Sequence, residues 1–180
     1  GERENAVTSY QQAIETLEHV RQDLIDGSPY TFHQKVQPLF TGLSDILLDT
    51  VRTLATPVTR QERYRYVQNI LEQAKSAELQ DYFQNDCVLP ETSEELDQIE
   101  AATATIYPVI LPGRIEMLVS VSANIHQFTT PIEVAAFEDL VNEFRDNLQL
   151  DQGDEEYLEI GEELYTLLIE QFEDLLVEND

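Results

Sequence analysis

The pattern of apolar and polar positions divides the chain into a helical part, a strand-rich centre and a second helical part. Over residues 3–26, apolar side chains recur at steps of three and four, which predicts one amphipathic helix that ends near Gly27. A second helical stripe continues to about Leu54, and Pro38 within it is expected either to kink this helix or to start it anew. The apolar positions on the two stripes are Ala6, Tyr10, Ala13, Leu17, Val20 and Leu24, then Phe32, Val36, Leu39, Phe40, Leu43, Leu47 and Val51.

Two more helical segments are predicted before the centre of the chain. Thr59 and Glu62 have the spacing of a capping box, which predicts the start of a third helix. A further segment is predicted around residues 77–86, and the acidic residues 91–101 are expected to form an irregular linker. The inner positions of the two segments are Tyr66, Ile70 and Ala74, then Leu79, Tyr82 and Phe83.

Residues 102–131 are the stretch with strand character. Three short runs rich in Val, Ile, Thr, Tyr and Phe are separated by turn residues, which predicts a three-stranded meander. Residues 111–114 fit a type II turn, because Pro112 presets the first central φ and Gly113 accepts the positive φ of the second. Three strands alone cannot bury both faces, so we expect them to pack on helices or to join a larger sheet.

Two helices are predicted after the strands. Thr130 and Glu133 form a second capping box with Pro131 at the first helical position, so we expect the Thr130 hydroxyl to cap a helix over residues 131–149. A last helix is predicted from about Glu155 to Val177. The inner positions are Val134, Phe137, Val141, Phe144 and Leu148, then Tyr157, Ile160, Leu164, Leu167, Leu168, Phe172 and Leu175.

The charge of the chain is strongly negative, with a formal net charge of −26. Such a surface repels phosphate backbones, so we expect no nucleic-acid partner and instead a protein with a basic surface. No run of 18 apolar residues and no signal peptide is present, which predicts no membrane association. The single cysteine, Cys87, excludes an internal disulfide and favours a reducing, cytoplasmic location. Because the chain begins at Gly1 without an initiator Met, we interpret it as part of a longer protein.

Cys87 is the one candidate nucleophile, but its surroundings in the sequence favour a structural role. A catalytic cysteine needs a base within hydrogen-bond distance, and His19, His33 and His126 lie far away in sequence without a local motif. Cys87 follows an apolar helical stretch, where a free cysteine behaves as a small hydrophobic residue. His126 is expected to be a packed or surface residue, since no second ligand stands at metal spacing.

Two charged clusters also have simpler interpretations. The acids around the turn at residues 151–154 fail the spacing of a helix-loop-helix calcium site and are expected to be solvated. These acids are Asp151, Asp154, Glu155, Glu156, Glu159, Glu162 and Glu163. The other cluster could stack on nucleic acid, but its arginines are expected to pair with carboxylates of the chain or to be exposed. It consists of Arg60, Arg63, Tyr64, Arg65 and Tyr66.

The order of these segments resembles the junction of a tetratricopeptide repeat array with a CHAT domain, the caspase-like domain associated with such repeats. The helical segment at residues 6–17 resembles the second helix of one repeat. The stretches that carry the resemblance are AVTSYQQAIETL at 6–17 with RQDL at 21–24, FHQKVQPLF at 32–40 with residues 43–48, AELQDYFQNDC at 77–87, and ATIYPVILPGRIEML at 104–118 with FTTP at 128–131.

The resemblance implies a repeat-like helical region at 1–90, a linker at 91–101 and the front portion of a caspase-like α/β sandwich at 102–180. CHAT domains resemble clan CD cysteine peptidases, whose His–Cys dyad follows later strands of the sheet. No position of this chain matches the dyad, so no catalytic, cofactor-binding or metal residue is predicted. The implied role is a scaffold that binds a protein partner or substrate and supports the remainder of the CHAT domain. The alternative is a stand-alone helical adaptor with a small meander and no enzymatic parent.

We predict that the purified chain cleaves no fluorogenic peptide reporter and that Cys87→Ser leaves this baseline unchanged, because no dyad partner accompanies the thiol. A known cysteine peptidase in the same reducing buffer is the positive control. Turnover that depends on a thiol and disappears in Cys87→Ser would contradict the prediction.

Overall fold

The structure is a computed structural model, and it describes residues 1–24, 32–83, 103–149 and 156–177. Within these ranges the chain is a mixed α+β protein with a three-stranded antiparallel sheet, as the sequence predicts, and it contains six α-helices. The chain divides into two compact units, Gly1–Ser93 and Glu94–Asp180. The division falls inside the predicted linker, while the family assigned to each unit stays a prediction.

The first unit is helical. It contains α1 (Glu2–Leu24), a π-helical turn (Phe32–Val36), α2 (Gln37–Val51) and α3 (Pro57–Phe83), and α2 packs against both α1 and α3. Pro38 lies in the first turn of α2, where the backbone N–H that proline lacks has no helical partner, so proline starts this helix. The buried apolar side chains of the unit are Ile14, Val36, Phe40, Leu43, Leu47, Leu48, Val51, Tyr64, Val67, Ile70 and Ala77.

The start of α3 lies one turn earlier than the sequence predicts. Thr56 caps the helix: its Oγ1 accepts a hydrogen bond from the Thr59 backbone N at 3.2 Å, and its carbonyl accepts one from Arg60 N at 3.2 Å. Pro57 is the first helical residue, so the predicted cap at Thr59 is wrong. The helix then continues without a break to Phe83. Residues 77–83 of the separate helix predicted over 77–86 are part of it, and residues 84–86 lie outside the described residues.

The buried face of α3 is also rotated relative to the predicted one. Ile70 is buried as predicted, but Tyr66 is 38% exposed and Tyr64 takes the inner position. The Tyr66 hydroxyl accepts a hydrogen bond from Gln11 Nε2 of α1 at 2.7 Å. The packing of α3 against its neighbours, rather than the propensity of single residues, therefore selects which tyrosine is buried.

Helices α1 and α2 meet closely at Gly42. A methyl carbon at the Cβ position of Gly42 would lie 2.6 Å from Oη and 2.7 Å from Cζ of Tyr10. These distances are shorter than normal contacts, so a side chain at position 42 would require the Tyr10 ring to shift away from its present place on α2. Glycine lowers the helix propensity of α2 by about 1 kcal/mol, and this contact offsets that loss.

The second unit contains the predicted meander. Its strands are β1 (Thr105–Leu111), β2 (Arg114–Val121) and β3 (Asn124–Thr130), in the spatial order β1-β2-β3 with antiparallel pairing. Gly113 has φ +75°, as the predicted turn requires. The second turn is less expected, because Ser122 and Ala123 both adopt left-handed φ values, +50° and +63°, although each carries a side chain.

Helices cover one face of this sheet. They are α4 (Val134–Gln149), α5 (Glu156–Leu168) and α6 (Glu173–Val177), with a 3₁₀ turn at Glu170–Phe172. Phe172 is 1% exposed, and its ring centroid lies 5.4 Å from that of Phe128. The core cluster consists of Ile115, Met117, Val119, Val121 and Phe172, and its half-buried neighbours are Phe128, Ile132, Phe137, Leu168, Ile169, Leu175 and Leu176.

The last predicted helix, from residue 155 to 177, is interrupted. The α-helix stops at Leu168, and Phe172 N donates to Ile169 O at 3.0 Å in the tighter turn that follows. Phe172 lies in this tighter turn with its side chain in the core, and Leu175 and Leu176 of α6 pack against the same core. Helical periodicity correctly predicts Ile160 and Phe172 as inner residues. It is wrong for Tyr157, which is 38% exposed, and it does not predict this break.

Thr130 joins the sheet to α5 and does not cap α4, so the predicted capping box is wrong. Thr130 is the last residue of β3 and pairs with Ile115, which keeps it extended. Its Oγ1 donates to the Leu167 carbonyl at 2.7 Å and accepts from Gln171 Nε2 at 2.7 Å. Helix α4 begins four residues later, where Phe137 N donates to the Glu133 carbonyl.

We predict that Gly42→Ala lowers the free energy of unfolding by about 1 kcal/mol, because the added methyl group clashes with the Tyr10 ring. Urea denaturation measures the change, and the control is the same substitution in a Tyr10→Leu background, where the helix propensity of alanine should make it neutral or stabilising. If Gly42→Ala stabilised the protein in the natural background, the close contact between Gly42 and the Tyr10 ring would be contradicted.

We predict that Thr130→Val costs about 1 kcal/mol of stability, because valine keeps the shape but loses the hydrogen bond to Leu167. Thr166→Val on the exposed surface of α5 is the matched control and should change stability by less than about 0.5 kcal/mol. An equal loss on Glu133→Ala would instead support a capping box.

Candidate functional site

The residues that the sequence singles out are not brought together by the described parts of the chain. Cys87 and the side chains of His19 and His33 lie outside the described residues. His126 is exposed on β3, opposite Val119 of β2. The proposal of an inert Cys87 therefore stays a prediction.

The acids of the last helical region are dispersed. Glu159, Glu162 and Glu163 are exposed on α5, whereas Asp151, Asp154 and Glu155 and the side chain of Glu156 lie outside the described residues. In the described ranges, no three His, Cys, Asp or Glu side chains are grouped so that they could hold a metal ion. Glu173 accepts a hydrogen bond from the Tyr165 hydroxyl, and this bond raises the pKa of Tyr165.

The cluster of arginines and tyrosines lies on α3. Tyr64 is buried in the helical unit, and the Tyr66 hydroxyl is bonded to Gln11. Arg60 and Arg63 are half-buried and Arg65 is exposed. Since one ring is packed in the core, the two tyrosines do not form the pair of open ring faces that base stacking requires.

The structure instead reveals a buried polar cluster in the middle of the sheet. Glu116 lies on β2, directly opposite Val109 of β1 and Thr129 of β3, and the residue is 2% exposed. It lies in a strand that is buried from Ile115 to Val121, where the other polar residue is Ser120. We call the group Arg114, Glu116, Gln127 and Thr129 the Glu116 cluster.

Both carboxylate oxygens of Glu116 accept hydrogen bonds. Arg114 Nε donates to Oε1 at 2.6 Å, while Thr129 Oγ1 and Gln127 Nε2 donate to Oε2 at 2.7 and 3.0 Å. The Arg114 side chain is 22% exposed and that of Glu116 is 3% exposed, so the ion pair is shielded from most of the solvent. An ionised donor shortens and strengthens such a bond relative to one between neutral groups.

The Glu116 cluster links two strands of the sheet. A buried carboxylate is strongly unfavourable unless donors compensate for its lost hydration, and the cluster supplies donors to both oxygens. Because these donors come from β2 and β3, the carboxylate ties the two strands together. The partners of Glu116 among the described residues all donate hydrogen bonds to it, and this arrangement is that of a structural ion pair.

Sequence reasoning did not single out Glu116, although a signal was present. The stretch Ile115-Glu116-Met117-Leu118-Val119 places one acid inside a run that is apolar on both sides. An acid at such a position must either face solvent or have donors nearby. Arg114, two residues earlier on the same side of the strand, is the donor that the sequence alone could have suggested.

The two sides of the sheet differ at β1. Tyr107, Val109 and Leu111 are buried, whereas Ile106 and Ile110 on the opposite side are 36% and 45% exposed. In the described part of the chain β1 pairs only with β2, and Pro108, which cannot donate to a ladder, suits such an edge position. We call the surface of Ile106, Pro108 and Ile110 the β1 surface.

Comparison of the chain with protein-family models, with curated proteins and with solved structures finds no match. Of the helices that the structure describes, none has both the length and the apolar character needed to cross a membrane.

We predict that Glu116→Gln lowers the free energy of unfolding by about 2 kcal/mol, because the amide NH₂ group meets donors and the ion pair with Arg114 is lost. Glu138→Gln, at an exposed position of α4, is the matched control and should be nearly neutral. Urea denaturation compares the two variants. Equal midpoints would show that the Glu116 cluster contributes nothing to stability.

Proposed function

We propose that this chain is the non-catalytic front portion of a repeat-linked CHAT protein and acts as a protein–protein scaffold for a caspase-like core. In this proposal the helical unit binds a protein partner or substrate in the cytoplasm, and the sheet unit supports the part of the protein that carries the His–Cys dyad. The parent protein would be a cysteine peptidase of clan CD, and this chain would be inactive by itself.

The observation that carries the proposal is the burial of β2 on both sides. Ile115, Met117 and Val119 are buried on the side of Phe172, and Glu116 and Leu118 are buried on the other side. An isolated antiparallel meander commonly leaves one face to solvent, with polar side chains there. A central strand that is buried on both sides is instead typical of layered α/β domains, the class to which caspase-like sandwiches belong.

The exposed β1 surface supports the same proposal. Ile106 and Ile110 of β1 lie on the side of the sheet where helices cover β2. They nevertheless remain exposed. A larger domain would bury such side chains, because apolar area removed from water stabilises the assembly by about 25 cal/mol per Å². The negative charge of the chain favours a basic surface on its partner.

A stand-alone adaptor is the second candidate, and the core around Phe172 favours it. Phe172 is almost fully buried by residues of the sheet unit itself, so this core is closed without any other part of a protein. A closed core is what an independently folding module needs. In that case the helical unit alone would account for partner binding.

Light scattering and thermal unfolding of this chain, beside a longer chain extended through the expected caspase-like core, distinguish the two candidates. For the CHAT proposal we predict that the chain alone forms a small oligomer or binds a hydrophobic dye, and that it melts less sharply than the longer protein. Ile110→Thr should reduce dye binding, because it makes the β1 surface more polar while keeping a β-branched residue.

The same measurements can instead favour the stand-alone adaptor. A monodisperse monomer that melts sharply, binds no dye and gains nothing from the longer protein would overturn the CHAT proposal. In the longer protein, a His after one strand and a Cys after the next, with turnover lost on substitution of that Cys but retained in Cys87→Ser, would support it.

A further inference from the structure

No further inference is drawn: the strongest candidate, the β1 surface where Ile106 and Ile110 are exposed, carries nothing because nothing in the structure shows what covers it.

Discussion

Burial of β2 on both sides is the constraint on which the rest of the sheet unit depends. A strand without a solvated face can carry only apolar side chains or polar ones with complete hydrogen bonding. On one side, β2 meets this condition with Ile115, Met117 and Val119 packed near Phe172. On the other side it carries an acid, so the neighbouring positions must supply donors. The polar residues of β3 at 127 and 129 follow from that requirement.

Much of the fold could be predicted because short-range patterns determine it. The three strands and the turn at Pro112-Gly113 follow from β propensity and from the φ that glycine accepts. The error at Thr130 arises because capping motifs are local whereas helix starts also depend on tertiary contacts. Thr130 satisfies the motif, but its pairing with Ile115 and its bond to Leu167 hold it in the strand.

The contacts of buried side chains in each unit were harder to predict from the sequence. Tyr64 and Tyr66 are equally plausible inner residues of α3, and only the packed neighbours decide between them. Glu116 escaped notice because two of its donors are 11 and 13 residues away and become neighbours only when β2 pairs with β3. Gly42 is a similar case, since its need to be small arises from the ring of Tyr10 on another helix.

The Glu116 cluster affects the alignment of β2 and β3 across the turn that joins them. Ser122 and Ala123 adopt left-handed conformations that cost roughly 1–2 kcal/mol for residues with a side chain, so these two residues favour the turn less than Asn-Gly would. A slip of β3 by one residue would move Gln127 and Thr129 to the opposite side of the sheet. The carboxylate would then be buried without its two donors from β3, which is strongly unfavourable. A hairpin that is misaligned by one residue therefore loses the bonds from Gln127 and Thr129, and the Glu116 cluster favours the native alignment over it.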